Sequence, residues 1–185
     1  MAGDPRIESE VAVTPFVPGD LYALACLATR TSADTYDYIL PAGSALENMA
    51  IGERAHEFAQ AVHVDEVLVA RLDDNLVGYT QFGESTIQAP ESLLRPDSKE
   101  LHKLYVATEL QRRGIGRKLM DTALARPVLE AAPQVFLWVW GGNTEAIDFY
   151  RRYDFAEAAA RYYRLGNGER TRDLMMVRDQ DQSQS

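Results

Sequence analysis

A strand that must be buried on both faces limits this chain to a small set of folds. Residues Val135 to Trp140 are apolar at every position, and a strand of that composition lies inside a sheet with both faces covered. Glu100 to Val106 predicts a second strand, and Gly114 to Ala125 predicts a helix between the two. Because a strand, helix and strand in this order form a crossover, the two strands are predicted to be parallel.

The remaining elements predict a mixed α/β (α+β) fold with a central sheet of about seven strands and about four helices on both faces. Their predicted order is β-α-α-β-β-β-α-β-α-β-β. Outside the crossover we expect a strand at 11–17, helices at 21–39 and 44–62, hairpin strands at 64–71 and 76–82, a loop at 89–97, a helix beginning at Asn143 or Thr144, and hairpin strands at 155–165 and 172–178 around a turn at 166–168. Asp20 is predicted to cap the first helix and Ser44 the second.

The length and polarity of the chain predict one folded domain with polar ends. A chain of 185 residues is enough for a single well-buried core. Residues 1–9 and 179–185 are predicted to be disordered because they are polar and lack an apolar core. The domain is therefore expected at 10–178. Because no signal peptide or apolar run of membrane-spanning length is found, we expect a cytoplasmic protein without membrane contact.

Charge and cysteine content argue against several classes of function. The formal net charge is −9, and a basic stripe that could bind nucleic-acid phosphates is not evident. The single cysteine, Cys26, cannot form an intrachain disulfide or a thiolate metal cluster. His56, His63 and His102 are scattered, so no metal site is predicted.

The segment between the first crossover strand and its helix predicts an anion-binding turn. Gln111-Arg112-Arg113-Gly114-Ile115-Gly116-Arg117 brings two glycines and three arginines to the start of the helix. The first turn of a helix carries N–H groups without intrahelical partners, and glycine allows a ligand to approach the backbone closely. Arg117 excludes the Walker loop, and Leu119 excludes the three-glycine dinucleotide fingerprint. Alternatively, Gly114 is only a turn residue and the arginines are a solvated face.

This turn is similar to the Q/R-x-x-G-x-G/A signature of the GNAT acetyltransferases. The resemblance implies that the amides of the turn bind the pyrophosphate of acetyl-CoA. It also implies that the end of the preceding strand pairs its backbone with the pantetheine arm of the cofactor. The cofactor-binding residues implied in this way, including one from the motif described next, are Leu104, Tyr105, Val106, Gln111, Arg112, Arg113, Gly114, Ile115, Gly116, Arg117 and Asn143.

A second block, Leu137 to Phe155, resembles the other motif of that family, an apolar strand followed by N-x-x-A-x-x-F-Y-x-x-x-G-F. The resemblance implies that Tyr150 is the general acid facing the coenzyme A sulfur and that Asn143 contacts the cofactor. The alternatives are a core aromatic for Tyr150 and an ordinary helix cap for Asn143. Asp154 departs from the motif, because the family usually has a glycine there in a left-handed conformation.

Acetyl transfer to an amine also requires a base, because only the neutral amine attacks a thioester. Glu100 occupies the strand position where several members of the family place a carboxylate base. His102 points to the same face two residues later and is an alternative base. Both residues also have structural interpretations, as a solvated glutamate at the start of a strand and a packed histidine.

The resemblance implies an acetyl-CoA-dependent enzyme that acetylates a primary amine by direct attack in a ternary complex. The partner expected is a small-molecule amine, and homodimerisation, which is common in the family, stays open. Similarity to bacterial spermidine/spermine acetyltransferases, chiefly in Leu137–Trp140 and Tyr162–Met176, favours a polyamine. A protein N-terminal acetyltransferase, a non-catalytic acetyl-CoA sensor, and a structural domain whose turn binds nothing remain alternatives.

Overall fold

The computed structural model describes residues 10–36, 51–85, 93–164 and 168–180. It contains seven strands, β1 (Ala12–Pro15), β2 (Glu66–Leu72), β3 (Asn75–Gly83), β4 (Lys99–Val106), β5 (Gln134–Trp140), β6 (Ala156–Arg164) and β7 (Arg170–Asp179). Its helices are α1 (Leu21–Tyr36), α2 (Ile51–Ala61), α3 (Ile115–Leu124), α4 (Pro127–Glu130) and α5 (Thr144–Arg151). Two short 3-10 turns lie at Pro18–Asp20 and Thr108–Leu110.

The seven strands form one mixed sheet in the order β1-β2-β3-β4-β5-β7-β6. β4 and β5 are parallel, with Lys99 opposite Val135 and Glu100 opposite Phe136. β5 pairs on its other side with β7 in the antiparallel direction. The predicted fold class and the predicted parallel crossover are therefore confirmed, and β5 lies inside the sheet as its apolar sequence requires.

The chain forms two compact units. The first contains 1–81 and 103–123, and the second contains 82–102 and 124–185, so β3 and β4 contribute to both. The core of the first unit joins α1, α2, β2 and β3 through Leu24, Leu27, Ala28, Phe58, Val67, Val69 and Tyr79, together with Ala107. In the same unit, a Cβ on Gly78 of β3 would lie 3.0 Å from Leu119 Cδ1 of α3. A glycine is needed at this position because the helix packs directly on the strand.

The second unit is built around β5. Val135, Phe136, Leu137 and Met175 are at most 1% exposed, and β7 adds Leu174 and Met176 to the buried set. Gln134 at the start of β5 is also buried, and its side chain accepts from the Arg95 N–H and donates to Asp179. Because both ends of its side-chain amide are hydrogen-bonded, Gln134 holds the first residue of β5 in place without leaving a buried polar group unpaired.

Several boundaries differ from the expected ones. α4 was not predicted, because a four-residue helix that begins at Pro127 has no apolar repeat to detect. β7 extends to Asp179, and the Gln180 N–H donates to Pro133 O, so ordered chain continues past Arg178. The predicted cap Ser44, the polar ends at 1–9 and 181–185, part of the 89–97 loop and part of the 166–168 turn lie outside the described residues. No described helix combines the length and the apolar character that a membrane span requires.

Asp20 does not cap α1 as predicted. Its Oδ2 accepts from the Val17 N–H at 3.0 Å inside the preceding 3-10 turn, and its Oδ1 accepts from Arg71 Nη2 of β2 at 2.6 Å. Burial raises the pKa of this carboxyl, but the hydrogen bonds from Arg71 and Val17 and the charge of Arg71 together outweigh it, and the pKa lies below its usual value. Asp20 therefore connects the 3-10 turn that precedes α1 to strand β2 of the sheet.

We expect Asp20→Asn to lower the free energy of unfolding by about 1.5–3 kcal/mol at neutral pH, the usual contribution of a hydrogen bond to a charged group. Because the folded-state pKa is depressed, this stabilisation is present above the unfolded pKa of about 3.9 and is lost as the pH falls through the folded value. Urea denaturation from neutral pH to about pH 3 should therefore show wild type and variant converging in acid. Asp74→Asn, at an exposed turn residue, is the control, and a constant gap across the pH range would contradict this role of Asp20.

Candidate functional site

The predicted anion-binding turn follows the end of β4 in the first unit. The Ala107 N–H donates to Val77 O at 2.9 Å, which keeps the chain on the sheet up to the start of the 3-10 turn. Gly114 then adopts a φ of +84°, and Arg112 adopts a φ of +62°. A left-handed conformation costs a non-glycine residue roughly 1–2 kcal/mol. The turn is therefore a specific backbone shape rather than a relaxed loop.

The helix that follows, α3, presents its N-terminus to the turn, which is the end of a helix that attracts an anion. The backbone ladder of α3 begins with the Lys118 N–H donating to Gly114 O at 3.0 Å, so the N–H groups of the first turn precede it. Ile115 is 2% exposed and anchors the helix start in the core. A Cβ on Gly114 would meet nothing within 4 Å, so the space beside the turn is open. These features fit a bound pyrophosphate.

The cations near the turn are not equivalent. Arg112, Arg113 and Arg117 are exposed around it. Lys118, by contrast, points its ammonium group at Glu10 and at the Val11 carbonyl, close to the first strand. Lys118 thus serves the packing of the N-terminal segment, and the arginines are the cations that a phosphate would meet.

The end of β4, predicted to pair with the cofactor arm, holds Leu104, Tyr105 and Val106, all half-buried. Val106 O accepts from Gln111 Nε2 at 3.2 Å, so Gln111 closes the loop back onto the strand. The Tyr105 ring stacks on Tyr79 with centroids 5.6 Å apart. The side chain of Tyr105 is therefore part of the core of the first unit, and only its backbone is available for the predicted role.

An aromatic and cationic cluster beside this strand was missed by the sequence analysis. Tyr79 meets Phe58 edge to face at 5.5 Å, and the Lys103 ammonium lies 4.9 Å from the Phe58 centroid. Burial lowers the pKa of Lys103, with Glu57 and Asp65 opposing and Arg54 adding to the shift. Burial also raises the pKa of Tyr79 well above its usual range. The members come from α2, β3 and β4, and no short motif in the sequence links them.

Glu100 is placed in the second unit and is only 4% exposed. Its Oε2 accepts from Ser85 Oγ at 3.3 Å and lies 3.5 Å from His102 Nδ1. The solvated interpretation of Glu100 is therefore wrong, because the carboxylate is buried among polar partners. The two residues predicted as alternative bases instead form one contact pair on the same face of β4.

Tyr150 lies on α5 and is half-buried. Its ring meets Phe149 at 5.5 Å and Phe155 at 5.9 Å, both edge to face. Asn143 is the cap of α5, since its Oδ1 accepts from the Ala146 N–H at 3.1 Å. Asp154 has a φ of +63°, so it adopts the left-handed conformation expected at the position where the related motif carries glycine.

The predicted site residues are thus divided between the two units. The residues at 104–106 and 111–117 belong to the first unit, and Glu100, Asn143 and Tyr150 belong to the second. Across the described ranges, no group of three or more His, Cys, Asp or Glu side chains could hold a metal ion.

Comparison with known proteins identifies a family for most of the chain. The profile of the acetyltransferase (GNAT) family matches residues 34–155. An uncharacterised N-acetyltransferase of Archaeoglobus fulgidus is 33% identical over 90 residues, which are 49% of this chain and 59% of that relative. Two further N-acetyltransferase relatives are matched over 40% and 60% of their lengths. The chain thus spans less than two thirds of the curated relatives it matches.

Solved structures share the fold over nearly their whole length. The Streptococcus mutans protein smu.2055 has a TM-score of 0.71 at 23% identity, covering 92% of this chain and 99% of that one. The N-acetyltransferase PaiA of Thermoplasma acidophilum, solved in complex with coenzyme A, has a TM-score of 0.68 at 19% identity with the same coverage. At these identities the likeness shows the fold.

We expect Gly114→Ala to lower the free energy of unfolding by about 1–2 kcal/mol, because an alanine is strained at a φ of +84° although its Cβ has room. Gly52→Ala, on α2 and equally open to a Cβ, is the matched control and should raise it by about 0.5–1 kcal/mol. Urea denaturation of both variants measures the difference. Equal effects would mean that the left-handed turn is not maintained in solution.

Proposed function

Because the chain belongs to the acetyltransferase (GNAT) family, we propose that it is an acetyl-CoA-dependent N-acetyltransferase that acts on a primary amine. The observation that carries the proposal is the turn at Gly114, a left-handed glycine in open space that leads into the N-terminus of α3. The turn has the backbone shape and the adjacent arginines that a pyrophosphate requires, and its residues match the family signature.

Binding of the cofactor rests on residues of the first unit. The N–H groups of Ile115, Gly116 and Arg117 would hold the pyrophosphate, with Arg112 and Arg113 supplying positive charge. The backbone of 104–106 would pair with the pantetheine arm, and Asn143 of the second unit would contact the cofactor. When bound, acetyl-CoA supplies an acetyl group activated as a thioester.

The proton transfers rest on residues of the second unit. Glu100 takes a proton from the attacking ammonium group, so that the amine nitrogen can form the new bond to the acetyl carbon. His102, 3.5 Å away, orients the Glu100 carboxylate. Tyr150 donates its phenolic proton to the sulfur that leaves. An ammonium group loses two protons in becoming an amide: the first leaves through Glu100 to solvent, and the second, released as the new C–N bond forms and the C–S bond breaks, replaces the proton that Tyr150 gives to the sulfur.

A polyamine is the acceptor that we favour. The net charge of −9 attracts a polycation over the range of the Debye length. Tyr162 to Met176, which resembles bacterial polyamine acetyltransferases, includes the end of β6 and most of β7 in the second unit. A protein N-terminus is the main competing acceptor, and it differs by having a single amine.

Acetyl-CoA at about 100 times its dissociation constant should stabilise the protein by roughly 2.7 kcal/mol, seen as a rise in melting temperature. In the same plate, thiol release should follow with spermidine or spermine, and not with an alanine-terminated peptide. Release with the peptide alone would overturn the polyamine assignment. A shift without release from any amine would favour a sensor, and the absence of a shift would contradict acetyl-CoA binding.

Tyr150→Phe and Glu100→Gln should each lower kcat by about 10²- to 10⁴-fold, the usual contribution of general acid–base catalysis. The KM for acetyl-CoA should change little, because neither side chain is proposed to bind the cofactor. Tyr153→Phe, a second half-buried tyrosine that follows α5, and Glu84→Gln, which pairs with Lys99 at the surface, are the matched controls. A loss in the controls as large as in the variants would show that the effects are structural.

A further inference from the structure

A cation is held against an aromatic ring and a carboxylate on one face of the second unit. The Arg161 guanidinium carbon lies 4.4 Å from the Trp138 ring centroid. Its Nε and Nη2 donate to Asp173 Oδ2 at 3.1 and 2.8 Å. A carboxylate attracts a cation by its charge, and an indole ring is the aromatic face that binds a cation best. The three residues come from β5, β7 and β6.

The register of the sheet explains how these residues meet. Trp140 lies opposite Asp173, and Asp173 lies opposite Arg161, so side chains at these positions share one face. Trp138 lies two residues before Trp140 on the same face. Arg161 therefore reaches diagonally across the sheet from β6 to cover the Trp138 ring.

The carboxylate of this cluster, that of Asp173, is largely shielded from solvent and lies beside a second polar group. The Asp173 side chain is 15% exposed. Besides Arg161, it accepts a hydrogen bond from Tyr163 Oη at 3.0 Å. Tyr163 lies on the same face of β6, two residues after Arg161. Trp138, Asp173 and Tyr163, here called the cation site, thus offer a ring face, a charge and a second oxygen.

The cation that occupies this site belongs to a side chain that can leave. The Arg161 side chain is 46% exposed and extends from β6, a strand whose residues are exposed almost throughout. Because the guanidinium is close to half exposed, hydration offsets part of what its contacts with Asp173 and Trp138 contribute. Rotation of the Arg161 side chain into solvent would open the cation site without any movement of the backbone.

The cation site shares a sheet face with the proposed base. Glu100 lies opposite Phe136 in the parallel β4–β5 pair, and Trp138 follows Phe136 by two residues on the same face. One strand spacing and two residues of rise place the Cα atoms of Glu100 and Trp138 roughly 8 Å apart. An acceptor with two amino groups joined by a short alkyl chain spans a gap of that order.

We propose that Trp138, Asp173 and Tyr163 bind the second, non-reacting ammonium group of a diamine or polyamine acceptor, and that Arg161 occupies this site until the acceptor displaces it. The proposal rests on the proposed acetyl transfer and assigns the part of the site that selects the acceptor. A primary ammonium donates hydrogen bonds to Asp173 and Tyr163 while its charge faces the indole ring. A monoamine can place its one ammonium group either there or at Glu100, but not at both, so a diamine binds more tightly.

Fluorescence tests the binding step separately from catalysis. Trp138 and Trp140 are the only tryptophans in the chain, so Trp140→Phe leaves the proposed site as the sole indole reporter. We expect putrescine to change the emission of this variant saturably, with and without coenzyme A, and n-butylamine to do so at least about tenfold more weakly. The absence of a putrescine response in both states, or equal responses to the two amines, would overturn the proposal.

Substitution of the occupant should improve binding. In the same Trp140→Phe background, Arg161→Gln should bind putrescine about three- to tenfold more tightly, because the acceptor no longer competes with the guanidinium. Arg164→Gln, at another exposed arginine of β6 that contacts Gly168 O, is the matched control and should leave the affinity unchanged. Unchanged or weaker binding in Arg161→Gln would show that Arg161 is not a displaceable occupant.

Kinetics on the tryptophan-containing enzyme separates this proposal from the proposed function. Asp173→Asn should raise the KM for putrescine about tenfold more than it raises the KM for n-butylamine. An equal loss for both amines would indicate a structural role and overturn the cation site. Equal kcat/KM for putrescine and n-butylamine in wild type would also overturn it while leaving acetyl transfer established. No thiol release from any amine would refute the proposed function, and the fluorescence titrations would still decide whether the cation site exists.

Discussion

The buried strand β5 is the constraint on which the second unit depends. Its residues from Gln134 to Leu137 are almost fully buried, so both of its edges and both of its faces must be covered. One edge is satisfied by the parallel neighbour β4, and the other is satisfied by β7. This arrangement fixes the register of Glu100 against Phe136 and of Asp173 against Trp140, and the pairing of β6 with β7 then sets Arg161 opposite Asp173. The positions of the proposed base and of the proposed cation site therefore both follow from the apolar sequence of β5.

Local features of the sequence were enough to predict much of this architecture. The apolar composition of β5, the periodicity of α3 and the Asn143 cap depend on neighbours within a few positions. Such signals are visible without knowledge of the tertiary structure. The glycine turn was predicted for the same reason, since backbone shape and helix start are encoded within about six residues.

The features that the sequence analysis missed depend on contacts between distant elements. Asp20 has the identity of a helix cap, but its partner is Arg71 on β2, 51 positions away. Lys118 belongs by position to the basic turn, yet it contacts Glu10. The cluster of Phe58, Tyr79 and Lys103 and the contact of Arg161 with Trp138 require sheet order and register, which no local pattern contains. The roles of Tyr150 and Glu100 stay predictions, because they follow from the family resemblance together with their burial.

The exposure of β6 has a consequence for how copies of this protein meet. β6 is the last strand in the sheet order, and such an edge is a template for strand addition and aggregation. Here a register irregularity between Glu157 and Ala159 interrupts the ladder, and the strand carries charged side chains at Glu157, Arg161 and Arg164. Both devices oppose edge-to-edge pairing. Arg161 is one of these charged residues, so its displacement from Asp173 and the indole ring would also change the charge presented along the exposed edge strand.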